Sequence, residues 1–187
     1  MTATLLLIDM QKAMDDPIFD EQGQPQALAN AAALLAHWRQ RGNPLIHIRH
    51  DSMDPSSPYA PHQPSHEFKD EVAPLDHETI VEKRTNNAFI GTDLMQVLEE
   101  IGSSDLVVCG VHLQDCVEST VRMAGNLGFM VFLAADAVVS LGQTDINGKK
   151  WSADDVHALT LGILDGQYAK VMNSSDLMMN IEGTAVH

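Results

Sequence analysis

Val107-Val108-Cys109-Gly110-Val111-His112-Leu113-Gln114-Asp115-Cys116-Val117-Glu118-Ser119-Thr120-Val121-Arg122-Met123-Ala124 is the stretch that decides the fold. Its apolar run ends at Gly110, a short turn follows, and a helical pattern begins at Cys116, with Val117, Val121 and Ala124 as its buried stripe. A strand thus delivers a thiol to a helix N-terminus. Unpaired backbone N–H groups and the positive end of the helix dipole meet there, so the position favours thiolate over thiol and suits an oxyanion. Taken alone, Cys116 reads first as a small buried hydrophobe beside a valine-rich strand. Two distant charged residues, Asp9 and Lys83, weigh for the chemical reading.

Upstream, Thr4-Leu5-Leu6-Leu7-Ile8 is a continuous apolar run without polar alternation, as in a strand covered on both faces, and Asp9 falls at its carboxyl end. Residues 27–40 carry helical character, closed by Arg41-Gly42. Pro44–Arg49 reads as a second strand. From His50 to about Asp76 the text turns to Pro, Ser, His and Asp, a loop long enough to be a lid or a pocket wall. Thr79–Lys83 is a short third strand with Lys83 at its end. Thr92 can cap a helix over 93–101 that stops at Gly102. Leu106–Cys109 and Phe129–Leu133 supply strands four and five, with Asp136 after the latter. Ser152 can cap a helix reaching Leu164, Ala169–Met172 is a sixth strand, and the tail from Asn173 reads as peripheral.

Strand and helix patterns alternate and the strands are of the buried type. The expected fold is therefore a doubly wound, Rossmann-like three-layer α/β/α domain over residues 1–187, its mainly parallel six-stranded sheet ordered 3-2-1-4-5-6. Ligands bind such sheets at the carboxyl ends of the strands, where the winding reverses. Strands one and four flank that crevice, which sets Asp9 and Cys116 across from each other; Lys83 must lean back across strand two.

Composition bounds the function. Eleven Lys+Arg against 26 Asp+Glu leave a formal charge of −15, which argues against nucleic acid or an anionic membrane as partner through a general basic surface. Two cysteines, Cys109 and Cys116, predict no disulfide framework and a reducing, cytoplasmic compartment. The apolar start runs straight into Asp9, too short for a signal peptide, and no stretch approaches the ~18–20 residues that span a bilayer. No Gly-x-Gly-x-x-Gly follows strand one, which argues against a dinucleotide-binding oxidoreductase.

A cysteine nucleophile needs a proton acceptor, a charge that holds the thiolate and donors for the oxyanion. Asp9 can be the base and Lys83 the cation, and an ammonium beside a thiol of ordinary pKa about 8.5 pushes it toward thiolate near neutral pH. The amides of His112 and Cys116 would form the oxyanion hole. His50, Asn87, Phe89 and Leu113 sit on segments expected to converge on the thiol, Gln11 can orient Asp9, and Tyr59 or Trp151 can close the mouth. Each has a plainer reading, Phe89 as core and Gln11 as an ordinary glutamine.

Leu6-Leu7-Ile8-Asp9-Met10-Gln11, His47-Ile48-Arg49-His50-Asp51-Ser52 followed by Ser57-Pro58-Tyr59, Val81-Glu82-Lys83-Arg84-Thr85-Asn86-Asn87-Ala88-Phe89, and the Cys116 stretch with Asp136-Ala137 beyond it resemble the isochorismatase-like cysteine hydrolases over nearly the whole chain. That superfamily holds nicotinamidases, N-carbamoylsarcosine amidohydrolases and ureide or biuret hydrolases. The resemblance implies a triad of Asp9, Lys83 and Cys116, a cis peptide between Val111 and His112, and an oxyanion hole at His112 and Cys116. It implies attack on a small carboxamide or ureido carbon through a thioacyl enzyme, no cofactor, and a homodimer or homotetramer.

Departures narrow the choice. Nicotinamidases of this family hold a divalent metal with an Asp-x-His pair after strand two, where this chain has His50 and Ser52, so no metal is expected; His47, His62 and His66 make no compact ligand motif. Isochorismatases proper lack the cysteine. Leu113 stands where many relatives have threonine, and it offers no hydroxyl. A metal-dependent nicotinamidase and a noncatalytic ligand-binding protein of the same fold are the rival readings.

Overall fold

The computed structural model describes residues 3–19 and 21–180. Its centre is a parallel sheet of β1 (Thr4–Ile8), β2 (Leu45–His50), β3 (Thr79–Lys83), β4 (Asp105–Val111), β5 (Met130–Val139) and one later strand. Two short strands, β6 (Gln143–Thr144) and β7 (Lys150–Trp151), pair antiparallel as a separate hairpin, so the last sheet strand is β8 (Lys170–Met172). The order β3-β2-β1-β4-β5-β8 is the expected doubly wound topology; the polar segment that reads as a plain loop contributes the extra hairpin and shifts the last number.

Period-two alternation sorts the strand residues to two faces. Leu5, Leu7, Val107 and Cys109 pack under α1 (Ala27–Arg41) with its Ala31, Leu34, Leu35 and Trp38. Leu6, Ile8, Ile46, Ile48, Val108 and Leu133 face α2 (Leu94–Ile101), α3 (Glu118–Asn126) and α4 (Ala153–Leu164). Truncating one of these fully buried leucines to alanine costs ~2–5 kcal/mol. Ser152 caps α4 in a reciprocal box with Asp155, as its sequence suggests. The tail departs from expectation. It folds as α5 (Ser174–Asn180), whose Leu177 is fully buried against the α1 layer and whose Ser174 donates to both carboxylate oxygens of Asp136. Among the described residues no helix is long and apolar enough to cross a membrane.

The winding reverses between β1 and β4, and the two approach closely there. Gly110 has φ +135°, and a Cβ at this position would lie 2.1 Å from the Ile8 carbonyl oxygen. The next residue of β1's chain, Asp9, therefore emerges directly beside the turn that carries Cys116.

Candidate active site

Asp9 follows β1 with φ +53°, a left-handed conformation uncommon outside glycine and sparingly open to aspartate. Its amide is held by Ile48 O at 3.0 Å and its carbonyl by the Gln11 amide at 2.8 Å, which turns the carboxylate into the crevice. Lys83 ends β3, in register with His50 on β2, and its chain leans across that intervening strand. The ammonium is fully buried. It donates to Asp9 Oδ2 at 2.6 Å, to His50 Nδ1 at 3.1 Å, to Thr85 O at 3.2 Å and to Cys116 Sγ at 3.2 Å. Three N–H donors thus face four acceptors. Because an ammonium only donates, His50 Nδ1 accepts and the ring proton sits on Nε2.

The Cys116 turn starts earlier than the sequence pattern suggests. The Val111–His112 peptide is cis, Leu113–Val117 form one π-helical turn, and α3 continues from Glu118. Cys116 lies inside this first turn, half-buried, while the amides of Asp115 and Val117 reach back to His112 O at 3.1 and 3.2 Å. One-turn π segments of this kind recur at functional sites.

The charges arrange themselves differently from the sequence expectation. Burial and the Asp9 carboxylate push the Cys116 thiol up, and Lys83 only partly opposes them. Desolvation alone would lower Lys83, but Asp9 and Cys116 outweigh it and hold the ammonium. The resting state is therefore a thiol beside an Asp9–Lys83 ion pair. The ammonium is already paired with the carboxylate at 2.6 Å and so only partly favours a thiolate. Burial also lowers His50, with Lys83 adding to the effect, and lowers His112 to about 4, so both imidazoles are neutral at pH 7.

The isochorismatase domain model matches residues 3–161. The chain belongs to the isochorismatase family. An isochorismatase-family structure from Chromobacterium violaceum superposes with a TM-score of 0.94 and 51% identity, over 97% of this chain and 94% of that one. The isochorismatase family protein YrdC of Bacillus subtilis is 34% identical over 93% of each chain, and Nicotinamidase 3 of Arabidopsis thaliana is 27% identical over 97% of this chain and 89% of its own. As a member of the family, the protein is a hydrolase.

In this isochorismatase-family hydrolase the remaining expected residues divide. His50 stands at the site. The Gln11 side chain is engaged elsewhere, and only its backbone amide holds Asp9: fully buried, the side chain donates to His50 O and His66 O and accepts from the His50 amide, tying the long loop to β2. Asn87 donates to Ser119 O and Ser119 Oγ and accepts from the Phe89 amide, which pins the segment after β3 to α3 and commits both its amide hydrogens there. Phe89 stacks with Phe129 on the core, centroids 6.0 Å apart, and Leu113 is fully buried in the same core. These two are packing residues. Trp151 lies on the hairpin under Lys149, bonded to Asp145.

The long loop is a wall rather than a lid. His66 bonds Asp51 at 2.7 Å, and Tyr59, 7% exposed, packs its ring 5.7 Å from His50 and 6.1 Å from Phe19. Phe19 in turn lies 4.8 Å from the His112 ring. Phe19 has no motif around it; only the backbone path after β1 brings it here. Three buried polar atoms around this site have no hydrogen-bond partner among the described residues: Asp9 Oδ1, Tyr59 Oη and His112 Nε2.

Ligand atoms of Asp9, His50 and Cys116 lie within 4.8 Å of one another, a spacing that would suit a cation. Lys83 Nζ bonds all three and fills their common centre, so these donors fit an ammonium and not a metal ion. His47 is bonded to Glu78 on a far face and His62 is exposed, so the histidines do not converge.

Proposed function

We propose that the protein hydrolyses a small carboxamide or ureido C–N bond with Cys116 as nucleophile, Asp9 as general base and acid, and Lys83 as the cation that holds them. The observation that carries this reading is a single buried ammonium 2.6 Å from Asp9 and 3.2 Å from Cys116. Asp9 takes the Cys116 proton as substrate enters, and the sulfur attacks the carbonyl carbon. The amides of His112 and Cys116 face the developing oxyanion. The tetrahedral adduct collapses as the proton passes from Asp9 to the leaving nitrogen, which departs as ammonia or an amine. Water then gives a proton to Asp9 and its hydroxyl to the thioacyl carbon, and the acid leaves as Cys116 recovers its proton.

Raising the thiol suits this scheme. A resting thiol resists oxidation and adventitious alkylation, and ionises only when a substrate displaces water and gives Asp9 Oδ1 a partner. Two unpaired cysteines fit the cytoplasm as its location.

The test is a screen of small neutral amides and ureides for ammonia release. Cys116→Ala should lower kcat/KM by at least about a thousandfold, leaving what binding and the oxyanion amides supply. Activity should persist in a chelator, because Lys83 fills the centre of the donor set. Turnover that survives Cys116→Ala would overturn the mechanism, and turnover abolished by chelation would revive the metal-dependent reading.

A further inference from the structure

Tyr59 is 7% exposed, His112 6% and Asp9 2%, yet each carries a polar atom with no partner among the described residues. A buried polar group left unpaired costs free energy comparable to a lost hydrogen bond, so three of them around one sulfur mark the outline of an absent ligand. Their chemistry is specific. Asp9 Oδ1 accepts, Tyr59 Oη donates or accepts, and neutral His112 Nε2 does one or the other according to its tautomer. None of the three can neutralise an anion. The cation in contact with the sulfur, Lys83, already faces Asp9, His50, Thr85 O and Cys116. A carboxylate brought to this cleft would meet the Asp9 carboxylate with no uncommitted cation touching it.

The rings form one wall. Phe19 contacts His112 and Tyr59, and Tyr59 contacts His50, at 4.8 to 6.1 Å between centroids, so the tyrosine is held in place by packing.

Resting on the cysteine hydrolase reading, we infer that the site selects small uncharged amides or ureides over their carboxylate-bearing analogues, and that Tyr59 is a specificity residue whose hydroxyl bonds the substrate. The amide N–H of the substrate satisfies Asp9 Oδ1, and a second polar atom meets Tyr59 Oη. The tyrosine hydroxyl bonds no other group among the described residues, so its removal weakens the complex without taking a hydrogen bond from the fold. This separates it from a packing residue.

Two measurements on the full-length protein test the inference, one of them independent of turnover. Alkylation of Cys116 by iodoacetamide, a neutral carboxamide, is compared with alkylation by iodoacetate, and the rate ratio is referred to that of glutathione under the same conditions. The fully buried Cys109 is controlled with Cys116→Ala. The ratio should exceed the glutathione ratio by about tenfold or more, and Tyr59→Phe should return most of that excess. In the second measurement, ammonia release is followed for propionamide against succinamic acid and for methylurea against N-carbamoylglycine. The neutral member should lead each pair, and Tyr59→Phe should lower its kcat/KM by about ten- to a hundredfold, mostly through KM, while the melting temperature holds or rises. A glutathione-like ratio overturns the inference, as does faster turnover of the acids or a Tyr59→Phe protein unchanged in both assays. If no amide is turned over but the alkylation ratio is raised and depends on Tyr59, the selectivity stands and the hydrolytic reading falls.

Discussion

Asp9 and Glu78 are two buried carboxylates that each face a cation and a histidine, and they differ in one respect. Glu78 uses both oxygens: Arg39 forks onto them at 2.7 and 2.8 Å, His47 adds a contact at 3.0 Å, and the Leu75 amide donates at 2.9 Å. Asp9 uses one oxygen, for Lys83, and keeps the other buried and unpaired. The Glu78 cluster, its carboxylate saturated although His47 Nδ1 has no partner among the described residues, clamps the end of the long loop, through Glu78 and through Arg39 to Ala73 O, onto α1 and β2. The unsaturated one sits where the winding reverses. Satisfaction of the carboxylate's hydrogen bonds, more than its burial or charge, separates the cluster that clamps the loop from the one at the winding reversal.

The comparison breaks most readily at the two carboxylates themselves. Asp9→Asn keeps the size of the side chain and removes the proton acceptor, and it should lower kcat by about a hundred- to ten-thousandfold with the fold intact by circular dichroism. Glu78→Gln should leave kcat/KM close to wild type. Near-normal turnover in the Asp9 variant, or collapse of turnover in a folded Glu78 variant, would erase the distinction.

The second test reads stability. Desolvation alone would raise Glu78, but the Arg39 fork, the Leu75 amide and His47 outweigh it and hold the carboxyl at about 2 against an ordinary 4.5. A depressed folded pKa means that the unfolded chain binds more protons between those values. The contribution is complete above 4.5 and fades as the pH falls toward 2. Urea unfolding near neutrality should show Glu78→Gln destabilised by about 1–3 kcal/mol, a range kept modest because Arg39 is partly exposed. The wild-type and variant curves should converge on acidification through that window. Parallel curves down to pH 2 would mean that the clamp does not carry the linkage.

How much of this was legible beforehand follows the same division. Buried parallel strands announce themselves as unbroken apolar runs, so Thr4–Ile8 and Leu106–Cys109 located the sheet, its order and the crevice. That Asp9, Lys83 and Cys116 meet was legible because each stands at or just past a strand end, and topology alone brings strand ends together. The partners of the Gln11 and Asn87 side chains were not legible, because side-chain-to-backbone bonds between remote segments leave no periodic trace. Phe19 was missed and Tyr59 only half seen for a related reason: the loop that carries Tyr59 has its path set by Gln11, Asp51 and His66. The direction of the thiol shift was lost because it depends on a distance of 2.6 Å between Asp9 and Lys83, which no spacing in the chain encodes.

The smallest effect gives the sharpest comparison, because cavities and unpaired atoms do not coincide. A cavity of about 310 Å³ meets the Asp9 site only through Phe19, its other walls coming from Glu21, Leu141, Gln143 and Lys150, and another of about 580 Å³ lies between Arg39, Asn43, Leu75 and Glu78. Volume alone would favour the second. Unpaired polar atoms favour the cleft that Phe19 borders, since a ligand gains most where it completes hydrogen bonds the free protein lacks. In the Cys116→Ala protein, a neutral amide at about ten times its Kd should stabilise by about 1.4 kcal/mol, which for a chain of this size is about 3–6 °C in Tm. The shift should persist with Glu78→Gln added and shrink with Tyr59→Phe added at the same amide concentration. If the Glu78 substitution removed it and the Tyr59 substitution did not, the larger cavity would be the ligand site, and hydrogen-bond saturation would have pointed to the wrong end of the sheet.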